Sequence, residues 1–156
     1  MTAKIMDAAA GKYLTFVLGD EEYGVGALKV QGILTMQRIT PIPRAPHYLK
    51  GVATVRGQVV PVVSARARLG MMEVEDTSET CIILVTLGAG PSCAGLIVDT
   101  VRDVVDIRED EVEPPPPVSD YNNDVVALAK SGDRVRILLD VGVILGDVAA
   151  YAAAES

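Results

Sequence analysis

The feature that most constrains this chain is the way its apolar residues are packaged. Val59-Val60-Pro61-Val62-Val63, Cys81-Ile82-Ile83-Leu84-Val85-Thr86-Leu87, Leu96-Ile97-Val98 and Ile137-Leu138-Leu139 are short blocks, and Gly, Pro or a charge interrupts each within a few positions. None approaches the ~18 apolar residues that cross a bilayer, so no membrane insertion is expected. β-Branched side chains favour strands, so the blocks are expected to form many short ones. The chain is 49% hydrophobic but only 4% aromatic and has no Trp, so its core must be built from Val, Ile, Leu and Ala. At 156 residues it fits one compact domain, or two small barrels sharing a core.

Along the chain, Met1 to Gly11 lacks the long apolar stretch of a secretory signal and is expected to be a disordered lead-in, with the cytoplasm as the compartment. Tyr13–Leu18 and Tyr23–Val25, split by Gly19-Asp20-Glu21-Glu22, predict a hairpin. Residues 27–36 fit neither a helical nor a strand period. Pro41, Pro43 and Pro46 force an extended surface loop. Residues 49–63 predict two strands joined at Arg56-Gly57-Gln58, where a tight turn needs glycine. A helical turn at Ala65–Leu69 and an acidic linker lead to the uncharged block Cys81–Leu87, of the kind buried on both faces. Val98–Ile107 suits a helix or a bulged strand equally. Pro114–Pro117 predict a stiff polyproline spacer, 125–139 another hairpin, and Asp140 caps a helix expected over Val141–Ala154. Seven to ten strands with Gly turns and a terminal helix point to small barrels.

Charge is unevenly divided. Residues 1–70 hold nine Lys/Arg and four Asp/Glu (9 − 4 = +5), and residues 71–156 hold five and seventeen (5 − 17 = −12). An acidic majority argues against nucleic acid, whose phosphates demand a basic face. It suits protein partners met through complementary patches, and equally a solvated acidic surface.

Catalytic and metal chemistry find little footing. His47 is the single histidine and has no Cys or second His at ligand spacing, and no Ser lies in a G-x-S-x-G elbow. Cys81 and Cys93 lack CxxC spacing and are expected to be buried free thiols. Gly88-Ala89-Gly90-Pro91-Ser92 is explained by a turn, without the glycine pattern or lysine of a phosphate loop. Asp99, Asp103 and Asp106 lack the glycine and terminal Glu of a calcium loop, although Asp99 and Asp103 in a barrel cleft remain the competing basis for a small-ligand binder or an enzyme. No cofactor is expected.

The segment Gly51-Val52-Ala53-Thr54-Val55-Arg56-Gly57-Gln58-Val59-Val60-Pro61-Val62-Val63 resembles the G-x-x-N-L-R-G-x-x-x-P-V-x-D-L-R element of the CheW-like domain. That domain is found in the chemotaxis coupling protein and in the regulatory domain of its histidine kinase. Further matches are Phe16-Val17-Leu18-Gly19, Tyr23-Gly24-Val25, Ile39-Thr40-Pro41-Ile42-Pro43, Gly95–Val101 and Ile137-Leu138-Leu139-Asp140, so the resemblance covers about residues 12–147. Thr54, Val55, Ser64 and Ala65 depart from the pattern, and Val30-Gln31-Gly32-Ile33 replaces V-x-E-I without its acid.

The resemblance implies an all-β fold of two five-stranded SH3-like barrels around a common core with a short C-terminal helix. The implied subdomains are roughly 22–80 and 81–140, with terminal strands exchanged between them. It further implies an adaptor without catalysis that joins the cytoplasmic tip of a chemoreceptor to the kinase regulatory domain, the receptor helix lying in the groove between barrels. Implied contact residues are Arg56, Gly57, Thr54, Val30 and Ile33. Two alternatives stay open: the same scaffold serving another signalling array, and an Arg56 that only ties its own barrel together through a carboxylate such as Asp99.

Overall fold

The computed structural model describes residues 10–88, 92–115, 124–149 and 151. Eleven strands run through these residues: β1 (Gly11–Leu18), β2 (Glu21–Gly26), β3 (Val30–Thr35), β4 (Leu49–Val55), β5 (Gln58–Ser64), β6 (Cys81–Thr86), β7 (Cys93–Val98), β8 (Thr100–Ile107), β9 (Val112–Glu113), β10 (Val125–Ser131) and β11 (Arg134–Leu139). Two short helices, α1 (Ala65–Arg68) and α2 (Val141–Leu145), complete the set with several 3-10 turns.

The strands form two sheets. Sheet 1 has the order β8-β1-β2-β11-β10-β9, and sheet 2 the order β3-β6-β7-β5-β4. The edge strands of sheet 1, β8 and β9, are separated in the chain only by residues 108–111, so its two edges are drawn together. Sheet 2 closes where Thr40, in the proline-rich loop after β3, bridges Val52 on the edge strand β4 with N···O distances of 2.8 and 2.9 Å. Gly51 makes that closure possible. Its φ is +145°, and a Cβ there would sit 2.1 Å from the Thr40 carbonyl oxygen.

Each sheet is apolar on both faces, which explains why the strand blocks are uncharged rather than alternating. Phe16, Leu18, Val25, Ile83, Val85, Leu96, Val63 and Leu139 meet in one large core between the sheets, joined by Ile144 and Leu145 of α2. The other face of sheet 1 encloses Tyr13, Ile107, Val112 and Leu138, and that of sheet 2 encloses Ala53, Val62 and Ile82 beside Val60, Leu84 and Cys93. Within β6, Ile83 and Val85 face the shared core while Ile82 and Leu84 face inward in sheet 2. Two small β interiors therefore flank a common one.

Several expectations are corrected. Gly11, expected to close the lead-in, belongs to β1 and pairs with Ile107; residues 1–9 lie outside the described residues. Residues 27–36 resolve into a 3-10 turn and β3. Of residues 98–107, open between helix and bulged strand, Val98 ends β7, Asp99 is a bend and Thr100–Ile107 form β8, whose bulge lies where it runs from Val104 to Val101 while β1 runs from Leu14 to Phe16. There the buried Thr15 hydroxyl donates to the Asp103 carbonyl at 3.0 Å and accepts from its N–H at 3.1 Å, satisfying backbone groups the bulge leaves unpaired. Of the helix expected over Val141–Ala154, α2 covers Val141–Leu145, a 3-10 turn interrupts it at Gly146–Val148, and Ala149 and Tyr151 are helical again; residues 150 and 152–154 lie outside the described residues. β9 adds a sixth strand to sheet 1. The strands group as 30–98 in sheet 2 and as 11–26 with 100–139 in sheet 1, rather than dividing at residue 80, because β2 pairs in parallel with the distant β11. Pro116 and Pro117 of the polyproline spacer lie outside the described residues.

Candidate interaction surface

β4 and β5 are joined by only two residues, Arg56 with φ +52° and Gly57 with φ +82°. Two successive positive φ values give the hairpin turn whose twist matches its strands. Glycine takes this conformation freely, whereas an L side chain in the left-handed region costs about 1 kcal/mol or more. Arg56 occupies it regardless, exposed, with no hydrogen bond or ion pair to another described residue. Thr54 is exposed on the same hairpin and lines a hollow of about 340 Å³ with Arg38, Thr40 and Val52.

Val30 and Ile33 lie on the other edge strand of sheet 2. Ile33 stands directly opposite Ile83 across the β3–β6 ladder, and cross-strand neighbours share a face. Ile83 is wholly buried in the shared core, while Ile33 is 48% exposed. Ile33 thus marks where the core between the sheets reaches the surface, and Val30 packs against that same core. The five residues expected to bind form two places on sheet 2, the hairpin tip and the rim of the seam. Gly32, where the family pattern has an acid, faces open space, with nothing within 4 Å of an added Cβ.

Asp99 is not the partner of Arg56. It is held by Arg66, whose Nε and Nη2 donate to its two carboxylate oxygens at 2.9 and 2.5 Å, and by the Gly19 N–H at 2.8 Å. The Arg66 hydrogen bonds hold the Asp99 carboxyl below the usual carboxylate range, and the same contact raises Arg66. This pairing was missed from sequence, although Arg66 belongs to the element that carried the resemblance. With three donors on it, Asp99 is a structural carboxylate. Asp103 contributes its backbone to the bulge, and Asp106 pairs with Lys12 at 3.0 Å, so the three aspartates do not converge.

A hollow of about 390 Å³ lies under residues 73–76 and is bordered by Arg66 with Asp99 and by Lys50 with Glu73. Those charges neutralise one another in pairs, at 2.5 and 3.1 Å. No group of three or more His, Cys, Asp or Glu suited to a metal occurs among the described residues. His47 is exposed, its ring edge-on to Tyr48. Cys81 and Cys93 are free, and burial pushes both thiols up. They sit at opposite ends of the β6–β7 ladder, Cys81 across from Val98 and Cys93 across from Thr86, roughly 17 Å apart at about 3.3 Å per residue. No helix among the described residues is long and apolar enough to cross a membrane.

The family model for the CheW-like domain matches residues 12–149. The chain is 33% identical to the chemotaxis protein CheW of Klebsiella aerogenes over 86% of its length and 81% of the relative. It is 32% identical to the chemotaxis protein CheW of Bacillus subtilis, over 93% of its own length and 92% of that relative. Among solved structures it is similar to the scaffolding protein TtCheW of Thermoanaerobacter tengcongensis, with a TM-score of 0.79 and 31% identity, covering 87% of this chain and 92% of that one. The two-sheet fold, the Arg-Gly hairpin and these matches agree: the chain belongs to the CheW-like family of chemotaxis adaptor proteins.

Proposed function

We propose that this adaptor works without catalysis, in the cytoplasm, by holding the regulatory domain of a chemotaxis histidine kinase against the cytoplasmic tip of a chemoreceptor. Its contact residues are Arg56, Gly57 and Thr54 at the hairpin tip and Val30 and Ile33 at the seam. The observation that carries this assignment is Arg56. A long cation held in a left-handed turn, exposed and unpaired among the described residues, contributes nothing evident to the fold. Strain retained at such a position points to use at an interface, and a planar guanidinium suits carboxylates or carbonyls on a partner. Ile33 and Val30 add an apolar strip where the shared core surfaces.

Arg56→Ala should weaken binding of a receptor cytoplasmic fragment by about ten- to a hundredfold, the value of a charge-assisted hydrogen bond. Its melting temperature should stay near that of the parent, because the side chain has no described partner. Unchanged binding, measured by isothermal titration calorimetry, would remove Arg56 from the interface.

A further inference from the structure

Helix α1 is only four residues long, yet both of its arginines reach from sheet 2 to segments that lead into or out of sheet 1: Asp99 just before β8, and Asp124 just before β10 with α2 just after β11. It follows β5 directly and is capped by the Ser64 hydroxyl, which accepts from the Ala67 N–H at 3.2 Å. On one side Arg66 holds Asp99, and the same carboxylate accepts from Gly19 in the β1–β2 turn of sheet 1 at 2.8 Å. The third Arg66 nitrogen, Nη1, donates to the Met72 carbonyl at 2.9 Å.

On the other side Arg68 reaches the start of β10 and the end of α2. Its Nη1 and Nη2 meet the Asp124 carboxylate at 3.4 and 3.3 Å, and its Nε donates to the Ile144 carbonyl at 3.3 Å. The guanidinium also lies 5.1 Å from the Tyr48 ring centre, and the Tyr48 hydroxyl donates to Asp147 just beyond α2.

The shared core between the sheets is apolar, and hydrophobic attraction is non-directional. It fixes how far apart the sheets lie more firmly than how they are turned. Charge-assisted, forked hydrogen bonds are directional. The Arg66–Asp99 side chains are 15% and 26% exposed and those of Arg68–Asp124 are 22% and 16% exposed, so both pairs are shielded from the screening that weakens surface ion pairs.

We propose that Arg66 and Arg68 are positioning residues, a two-armed clasp that sets the angle between the two sheets. Resting on the adaptor function proposed above, we further infer that signal coupling requires that angle, since a partner seated in the seam lies against both sheets and their angle sets how it faces a partner held at the hairpin tip on sheet 2. Each arm alone restrains one side of the seam; together they prevent rotation.

The test uses the full chain in a Cys81→Ala/Cys93→Ala background, with spin labels introduced at Gln58 on sheet 2 and Val104 on sheet 1, both exposed. Electron dipolar spectroscopy is read for the parent, Arg66→Met, Arg68→Met and the double variant. The label–label distance distribution should broaden in each single variant and most in the double. A distribution that stays as narrow as the parent's in every variant that folds overturns the clasp, and the single variants decide the matter if the double does not fold.

A second arm uses unlabelled protein with a receptor cytoplasmic fragment and the kinase. Arg66→Met should keep its separate affinity for each partner while kinase activation in the three-part assembly falls roughly fivefold to tenfold, the scale of an energetic coupling between sites. Activation and both affinities falling together, in step with the folded fraction, would show a merely structural role. A parent protein that couples nothing would refute the adaptor function, while the distance measurement would still decide the clasp.

Discussion

At the tip of the β4–β5 hairpin, Arg56→Asn should make the protein more stable even as it disables binding. Asn tolerates the left-handed conformation and Asn-Gly is a favoured turn pair, so relief of roughly 0.5–1 kcal/mol is expected, readable as a raised urea midpoint. A lowered midpoint would mean that Arg56 supports the fold. Asp99 behaves in the opposite way. Its folded-state pKa lies below the ordinary carboxylate value through the Arg66 hydrogen bonds, so ionised Asp99 stabilises the native state above the unfolded pKa of about 3.9. That contribution is lost as pH falls through the lower folded value. Asp99→Asn should therefore be less stable than the parent at pH 7, and the gap in urea midpoint should close as pH falls below about 4. A gap independent of pH would mean the charge is irrelevant. The Arg56 turn was legible because Arg-Gly-Gln between two valine blocks is a local signal. The Asp99 partner was not, because Arg66 is 33 residues away and neither residue carries a mark of its pairing.

Among the elements, β6 sits between β3 and β7 and is buried on both faces, as its uncharged sequence predicts. Ile83→Asp should prevent soluble expression, since a carboxylate with no partner would enter the shared core. Ile33→Asp, at the residue directly opposite across the ladder, should express and fold because that position is half exposed. Comparing the soluble yields of the two variants separates burial from strand position. Equal yields would contradict the placement of the core. The harder elements were β8 and the C-terminal helix. β8 is a sheet edge with exposed Arg102, Asp103 and Val104 around the bulge, so its apolar spacing follows neither strand nor helix period. The C-terminal helix is interrupted by a 3-10 turn at Gly146–Val148, where Gly146 carries the low helix propensity that the sequence shows.

For the molecule as a whole, fold class was visible in short blocks and turns, and the family resemblance gave the barrels. The grouping of strands was not visible, because the parallel pairing of β2 with β11 brings Tyr23 beside Ile137, and local patterns carry no information over that separation. The same closure puts the first and last strands of the chain into one sheet, leaving residues 30–98 to form the sheet that carries all five proposed contact residues. An adaptor of the kind proposed acts by occupancy. Tethering two proteins raises their effective concentration, but an excess of the tether places each on separate copies. The central claim is tested most directly by titrating this protein into a fixed mixture of kinase and receptor fragment and recording kinase activity. Activity should rise to a maximum near stoichiometric protein and then fall as more is added. A plateau that persists at large excess, or activation by substoichiometric traces, would contradict the adaptor account.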